Sequence, residues 1–547
     1  MIPLLVGLLA AVPSQAADPV LDTLGDWAER SVAELDIEDV HPYRASLACT
    51  DHWYYTGRAV FGEVVSESGH HRRPTRIEVV VGDDGLNSSR LQRPERGRGP
   101  DFLVSKVNLP TEDVRLALDR DLWLGTDEAF KTALGQWLFK TAALEGLGGE
   151  PPPPEWSPAP AVQIDLGGEV APVDEDLLRQ IATEASGRLR GVDGLHHGEV
   201  EVTGLRGRAL LATSEGTRLA QPMAYTAVYA WVIHVRDDGV SLHDSRAWVA
   251  ATPAQLPSVD EIAGAVEAMG LGVMARADAE AVPWYEGPVV FEGAAAADLF
   301  RYLAAPELQG TPPAPRPDKT YEQLIRSGPR IGRRLLPGGW SVVSDPSRDQ
   351  VGGYAYDREG VGAQRVELVE DGYVRDLAMS RIPRHDRRQS NGHARGSTQG
   401  SWQARLSVWT VEPRRALSAK AFERTVSKLQ REAGLDRVLV IRSLQRGKEG
   451  SLPNPSDAVW RWADGTEEPA LELSLDKPGR RLLRDIVAAS GERATSYLAA
   501  WDPDERVGRT TGLASTVIAP ERVLVEEVEV VYPGPDEKPH VVPPPPL

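Results

Sequence analysis

The ten residues Pro151-Pro152-Pro153-Pro154-Glu155-Trp156-Ser157-Pro158-Ala159-Pro160 limit what this chain can fold into more than any other stretch. Proline fixes φ and donates no N–H, so neither a helix interior nor a central strand can pass through such a run. The segment is polyproline-like, stiff and extended. It reads as an interdomain spacer, with a ligand for a proline-reading module as the alternative. At 547 residues the chain is too long for one core, and two or three domains are expected. The sequence divides into a leader at 1–16, an N-terminal domain at 17–150, a proline-rich linker at 151–164 and a middle domain at 165–282. A strand-rich C-terminal domain at 283–532 and a proline-rich tail at 533–547 complete it.

Periodicity fills in these units. In the first, residues 60–65 and 76–81 read as strands and Gly82-Asp83-Asp84-Gly85 as a turn. Thr126 reads as an N-cap, with Asp127 and Glu128 in the first turn and Ala129, Phe130, Ala133, Leu134, Trp137, Leu138 and Ala142 on one helix face. In the second unit, Leu178, Ile181, Ala182, Ala185 and Leu189 mark an amphipathic helix. Residues 224–235 and 240–249 form a hairpin around Asp237-Asp238-Gly239. Ser258 with Glu261 is a capping box opening a helix through Met269. In the third, residues 284–291 form a short apolar strand, followed by a small-residue turn and an alanine-rich helix start. Strands follow at 340–343, 365–369, 374–379, 402–411, 437–441 and 522–531, with one helix on Phe422, Val426 and Leu429 ending near Gly434. The fold class is α+β.

Composition excludes several functions. With 61 basic against 80 acidic residues the net charge is −19, which repels phosphate backbones and argues against nucleic acid as a partner. Unfolded peptides, or a partner with a basic face, fit better. The apolar N-terminus followed by Ser14-Gln15-Ala16 has the pattern of a signal peptide cleaved after Ala16, although no Lys or Arg precedes the apolar run. Export to the periplasm or beyond is the expectation; a buried N-terminal helix or a misassigned start are the alternatives. No apolar run has the length of a membrane span. Cys49 is the single cysteine, so neither an intrachain disulfide nor a Cys-based zinc site is open to the chain.

A hydrolytic zinc needs three protein ligands and an open position for water. No His-Glu-x-x-His or His-Glu-x-x-x-His occurs, and the pairs His70-His71 and His196-His197 read as solvated loop residues. A substitute metal set could draw on Asp357, Glu359, His385 and His393, although Asp357-Arg358-Glu359-Gly360 reads more readily as a hydrogen-bonded turn. The segment 381–396 is the sharpest basic patch. Arg384, Arg387, Arg388, Asn391, His393 and Arg395 are its candidates for holding a peptide backbone, a carboxylate or an acidic partner; a merely solvated loop is the other reading. There is no Gly-x-Ser-x-Gly elbow, phosphate loop or dinucleotide fingerprint.

Three blocks carry a family resemblance: residues 284–300, the stretch Tyr356-Asp357-Arg358-Glu359-Gly360-Val361-Gly362 with residues 366–374 behind it, and Ser390-Asn391-Gly392-His393-Ala394-Arg395-Gly396. In this order and separation they resemble the TldD/PmbA family, also called modulators of DNA gyrase. Ser214-Glu215-Gly216 and Thr510-Thr511-Gly512-Leu513 match the family's general pattern and read as turns. The resemblance implies α/β N-terminal and middle domains before a strand-rich C-terminal one. It also implies a metallopeptidase history of degrading unfolded peptides, with zinc in the active members. Those members carry His-Glu-x-x-x-His on the helix after the first block and a further cysteine ligand in the C-terminal region. Here the motif positions hold Arg301, Tyr302 and Ala305, and no cysteine follows Cys49. The expectation is therefore a metal-free, TldE-like protein without a cofactor. It would bind peptides or unfolded protein, or complete a TldD-like subunit or a homodimer. An active peptidase with a non-standard metal site and a structural envelope protein are the alternatives.

Overall fold

The computed structural model describes residues 18–90, 104–145, 153–316, 318–326, 328–396, 402–447, 449–476, 478–498 and 514–534. The leader at 1–16, Pro151 and Pro152, the turn at 510–513 and the tail beyond Gly534 lie outside the described residues.

Helix α1 (Pro19–Ala33) opens on Asp18, whose carboxylate accepts from the Val20 and Leu21 N–H groups. Strands β1 (Pro42–Val60), β2 (Glu63–Arg72), β3 (Pro74–Val81) and β4 (Ser105–Asn108) come before helix α2 (Arg115–Leu144). Strand β5 (Gln163–Asp165) and helix α3 (Glu175–Arg188) follow. Next come the long strands β6 (His197–Thr213), β7 (Arg218–Val235) and β8 (Ser241–Ala250), then helix α4 (Val259–Ala277). The expected hairpin about residue 238 is β7–β8, and the Ser258/Glu261 capping box opens α4.

These eight strands form one sheet in the order β4-β3-β1-β6-β7-β5, with β2 on β1 and β8 on β7. The regions 17–150 and 165–282 are thus halves of a single sheet, because β1 and β6 pair antiparallel from Ser46↔Thr213 to Val60↔Glu199. Alternation along β1 explains why both of its faces are buried. Ala45, Leu47, Cys49, Tyr55 and Ala59 point to one side, where the four helices pack; Ala48 and Tyr54 point to the other, toward the C-terminal unit. Burial pushes the Cys49 thiol up to about 12, consistent with a small buried apolar residue rather than a reactive one.

Two expectations change here. Thr126 lies inside α2, donating its hydroxyl to the Leu122 carbonyl (2.8 Å), and the helix begins eleven residues earlier at Arg115. Residues 60–65 are not one strand, since Phe61 (φ 46°) and Gly62 (φ 85°) make the tight turn between β1 and β2.

In the C-terminal unit β9 (Trp284–Glu292) leads into α5 (Ala294–Leu303) and the single turn α6 (Ala305–Leu308), with the short α7 (Tyr321–Ile325) further on. Strands β10 (Trp340–Ser344), β11 (Val366–Glu370), β12 (Tyr373–Val374), β13 (Ala394–Arg395), β14 (Gln403–Ala404) and β15 (Val408–Pro413) precede helix α8 (Ala419–Glu432). Then come β16 (Arg437–Leu444), β17 (Pro455–Trp462), β18 (Glu467–Pro469), β19 (Ser474–Leu475), β20 (Ile486–Ala489), β21 (Arg493–Leu498), β22 (Ser515–Pro520) and β23 (Arg522–Val531). One sheet runs β12-β11-β10-β15-β22-β21. The other runs β18-β17-β16-β9-β23-β19, with β20 on β23. The sheets enclose one large core with α5 inside it, and α8 covers the outer face of β9, β16 and β23. The strand expected over 374–379 stops at Val374, because the Ala378 N–H and C=O bond instead to Leu308 and Gly310. No helix among the described residues is long and apolar enough to cross a membrane.

Candidate functional site

Helix α5 is where a catalytic metal would have to be held. Gly293, at φ 61°, turns the chain out of β9, and alanines at 294–297 let the helix enter the core closely packed. A helix buried on nearly every side must be apolar all round, and Ala295–Ala297, Leu299, Phe300, Tyr302 and Leu303 meet that need. The exceptions neutralise each other: the Arg301 guanidinium lies 3.2 Å from the Asp298 carboxylate and over the Tyr302 ring at 4.4 Å. The Tyr302 hydroxyl accepts from the Gly447 N–H (3.3 Å). The helix stops at Ala304, and α6 restarts with Pro306 in its first turn, so no continuous helix face joins residues 301 and 305. A six-residue His-Glu-x-x-x-His begun at Arg301 ends on Pro306 rather than Ala305, and a guanidinium, a buried phenol, a methyl group and a proline ring do not fit zinc, which takes imidazole, carboxylate or thiolate. Among the described residues no three His, Cys, Asp or Glu side chains come together as a metal site.

The acidic pair is brought together, but its oxygens are already occupied. Asp357 is 2% exposed. Its Oδ1 accepts from the Glu359 and Val361 N–H groups and its Oδ2 from the Ala394 N–H, each at 2.9 Å. Gly360 supplies the positive φ (79°) that closes this turn. Glu359 accepts through Oε2 from the Arg381 N–H at 2.6 Å. Burial drives both carboxyls toward the neutral form. At Asp357 three N–H donors oppose it; at Glu359 the Asp357 charge reinforces it, against Arg381 and Arg44. Both carboxyls are thus pushed toward the neutral form, Glu359 the more strongly.

A consequence can be measured. A native carboxyl that stays protonated holds a proton the unfolded chain has released, so its contribution falls as pH rises above the ordinary Glu value of about 4.3. Glu359→Gln should flatten that decline and leave stability at pH 7 unchanged or slightly improved. Asp357→Asn sets an amide NH₂ against backbone donors and should cost about 1–3 kcal/mol across the range. Urea titrations at pH 5, 7 and 9 read both; a larger loss for Glu359→Gln at pH 9 would place the proton on Asp357 instead.

The basic segment folds back onto the protein instead of standing out as a loop. Arg384 pairs with Asp386 (2.8 Å) and donates to the Pro329 carbonyl; Arg387 pairs with Asp376 (2.7 Å). Asn391 closes the segment, accepting from the Met379 N–H and donating to the Leu377 carbonyl. His393 is fully buried, with Nε2 2.9 Å from the Ser344 hydroxyl and Nδ1 3.0 Å from the Asn391 carbonyl, and burial pulls it down to about 4. His385 is exposed, edge-on to the Tyr321 ring, so it does not join His393, Asp357 and Glu359 in a ligand set. Arg388 is exposed, whereas Arg395 is 7% exposed and lines a pocket.

Sequence reasoning missed the residue on which this region is assembled. Arg381, 3% exposed, forks onto both oxygens of Glu215 (2.7 and 2.5 Å) and donates Nε to the Ser157 carbonyl (2.8 Å). Its guanidinium lies 4.4 Å from the Trp156 ring centroid, and that of Arg44 lies 3.7 Å away. Glu215 sits in the turn between β6 and β7, so one side chain ties the C-terminal unit to the proline-rich segment and to the first sheet. The sequence offered Trp156 amid prolines and Glu215 in a family-pattern turn, but nothing to connect them.

The comparisons with known proteins agree with this architecture. Residues 285–531 match the model of the PmbA/TldA metallopeptidase C-terminal domain. Among solved structures, TldE from Thermococcus kodakarensis is similar with a TM-score of 0.59 at 14% identity, over 94% of this chain and 100% of that one. A modulator of DNA gyrase from Thermotoga maritima gives 0.59 at 13% identity, over 92% and 99%. One from Bacteroides thetaiotaomicron gives 0.55 at 10% identity, over 93% and 98%. At these identities the likeness shows the fold. A metalloprotease from Methanothermobacter thermautotrophicus is 38% identical over 52 residues, and the chain spans about an eighth of that relative's length (12%) and 10% of its own. Residues 285–531 are thus a C-terminal domain of the TldD/PmbA kind, carried on a whole-chain fold like that of these solved structures.

Proposed function

We propose that this protein is an exported, metal-free member of its family, binding peptide or unfolded protein and completing a peptidase whose zinc sits on a TldD-like partner or on another copy. The observation that carries the reading is the Arg301–Asp298 pair on a helix that stops at Ala304, in the place where the resemblance puts the zinc ligands. The whole-chain likeness to a TldE supports the same side of the family. Export rests on the leader pattern that ends at Ala16.

The test is elemental analysis of the purified protein before and after soaking with zinc, combined with a pull-down from its own source and N-terminal sequencing of the mature chain. The expected result is far less than one zinc per chain, a metallopeptidase among the captured proteins, peptide hydrolysis only with that partner, and a mature chain starting at Ala17. One zinc per chain with hydrolysis by the protein alone would overturn the reading in favour of an active peptidase. Neither partner nor peptide affinity would favour a structural envelope protein.

A further inference from the structure

Where β7 faces the C-terminal unit there is a pocket of about 120 Å³. Pro222, Met223 and Tyr225 line it from the first sheet; Tyr354, Arg358 and Arg395 line it from the other side. The two sides are registered by Gln221, whose amide donates to the Tyr356 carbonyl (2.9 Å) and accepts from the Tyr356 N–H (3.3 Å). The pocket is built from both units, and its walls are held in place by paired hydrogen bonds.

Its charges set it apart from the ion pairs around it. Nearby arginines out of water have acids: Arg381 has Glu215, Arg44 has Glu78, Arg301 has Asp298 and Arg384 has Asp386. Among the described residues Arg358 and Arg395 have none. Arg358 reaches the Met223 sulfur at 3.7 Å; Arg395 donates to the Gly352 carbonyl (3.1 Å) and stands over the Tyr354 ring at 5.2 Å. Desolvation, with the like charge of Arg395 added, pulls Arg358 down to about 10, which still leaves it protonated at neutral pH. Arg395 is buried and Arg358 half-buried; guanidiniums so placed without a counter-ion are costly, and an anion between them relieves that cost. Asp357 also borders the pocket, but three backbone N–H groups occupy its oxygens and burial drives its carboxyl toward the neutral form, so it does not serve as a contact partner.

We infer that this pocket is a carboxylate-binding site, with Arg358 and Arg395 as guanidinium anchors for the terminal carboxylate of a peptide or for a small free carboxylic acid. Planar guanidiniums match the planar carboxylate in shape and donor spacing. One water needs only about 10–15 Å³ of such volume, so the pocket has room for a carboxylate and a few carbons. Pro222, Met223 and Tyr225 offer those carbons an apolar wall. The inference leans on the peptide-binding reading only for one of the two sources of carboxylate. Zinc content and partner capture can fail without affecting it.

Isothermal titration of the purified protein decides it, with four probes: acetyl-Gly-Ala-Ala as the free acid, the same peptide as its C-terminal amide, propionate and inorganic phosphate. The free acid is expected to bind at least tenfold more tightly than the amide. A peptide acid that outbinds propionate points to chain termini; equal affinity points to free acids. Arg358→Gln and Arg395→Gln are each expected to weaken binding tenfold or more at unchanged circular dichroism. If either variant fails to fold, the acid–amide contrast on the unaltered protein still decides. Equal binding of acid and amide, binding of phosphate alone, or no binding of either peptide acid or propionate would overturn the assignment.

Discussion

Lys140→Met is expected to lower the unfolding free energy by about 3–5 kcal/mol, the usual cost of removing one partner from a buried ion pair. Lys140 is fully buried at the C-terminal end of α2, where its ammonium donates at 2.6 Å to both Glu155 oxygens and to the Asn87 carbonyl. Burial alone pulls this ammonium below its usual range, and Glu155 opposes that shift. Methionine fills the stem's volume and leaves Glu155, 4% exposed, with a charge that keeps only the Asn87 N–H (2.8 Å). The double variant Lys140→Met/Glu155→Gln should recover part of the loss, since the orphaned charge is gone while the Asn87 carbonyl stays unpaired. Urea unfolding followed by circular dichroism reads both. A single-variant loss below about 1 kcal/mol would mean that water reaches the pair.

Arg381→Ala ranks next, at about 2–4 kcal/mol, below the Lys140 value because the Glu215 side chain is partly solvated. The larger sign should be in the shape of the transition. With its fork to Glu215, its bond to Ser157 and its stacking on Trp156 lost, the C-terminal unit is expected to melt apart from the first sheet, giving two calorimetric steps. Limited proteolysis should then cut near residues 153–160 in the folded protein. Arg381→Lys keeps the charge but cannot hold two carboxylate oxygens, a carbonyl and an aromatic face at once, so most of the loss should remain. A Lys variant indistinguishable from the unaltered protein would reduce this contact to simple charge attraction.

What could be read from the sequence follows physical range. Local signals were legible. The capping box at Ser258 and Glu261, the hairpin around Gly239 and the strand–glycine–alanine entry to α5 all depend on neighbours a few residues apart. Where signals compete, boundaries slipped. Thr126 and its acidic neighbours look like a helix start, yet the residues ahead of them are equally content in a helix and Gly125 does not break it. Pairings between distant segments were not legible. Nothing in residues 46–60 names 199–213 as its partner, so one sheet looked like two domains. From Pro153 to Pro160 the proline-rich segment forms neither helix nor strand, as its composition dictates, but Glu155, Trp156 and Ser157 are buried in it because Lys140, Arg44 and Arg381 converge there from elsewhere. Of the candidate arginines only Arg395 lines the pocket, and Arg358 was not singled out. Which of them would end up without an acid depends on Asp376 and Asp386 as much as on the arginines themselves.

The strand order of the C-terminal unit sets a timetable. Its middle strand, β9, is made first, and the strand along one side of it, β23, is made last, with more than two hundred residues between them. Until the ribosome has released Val531, β9 has an open edge and the core lacks Val523 and Val525. The unit cannot close before that point, and long-range pairings of this kind are slow to form even afterwards. A nascent chain kept open in this way depends on whatever holds unfolded chains in its cell. A stop codon just ahead of Arg522 would remove a partner of the central strand rather than trim an edge, and the whole unit would be lost with it.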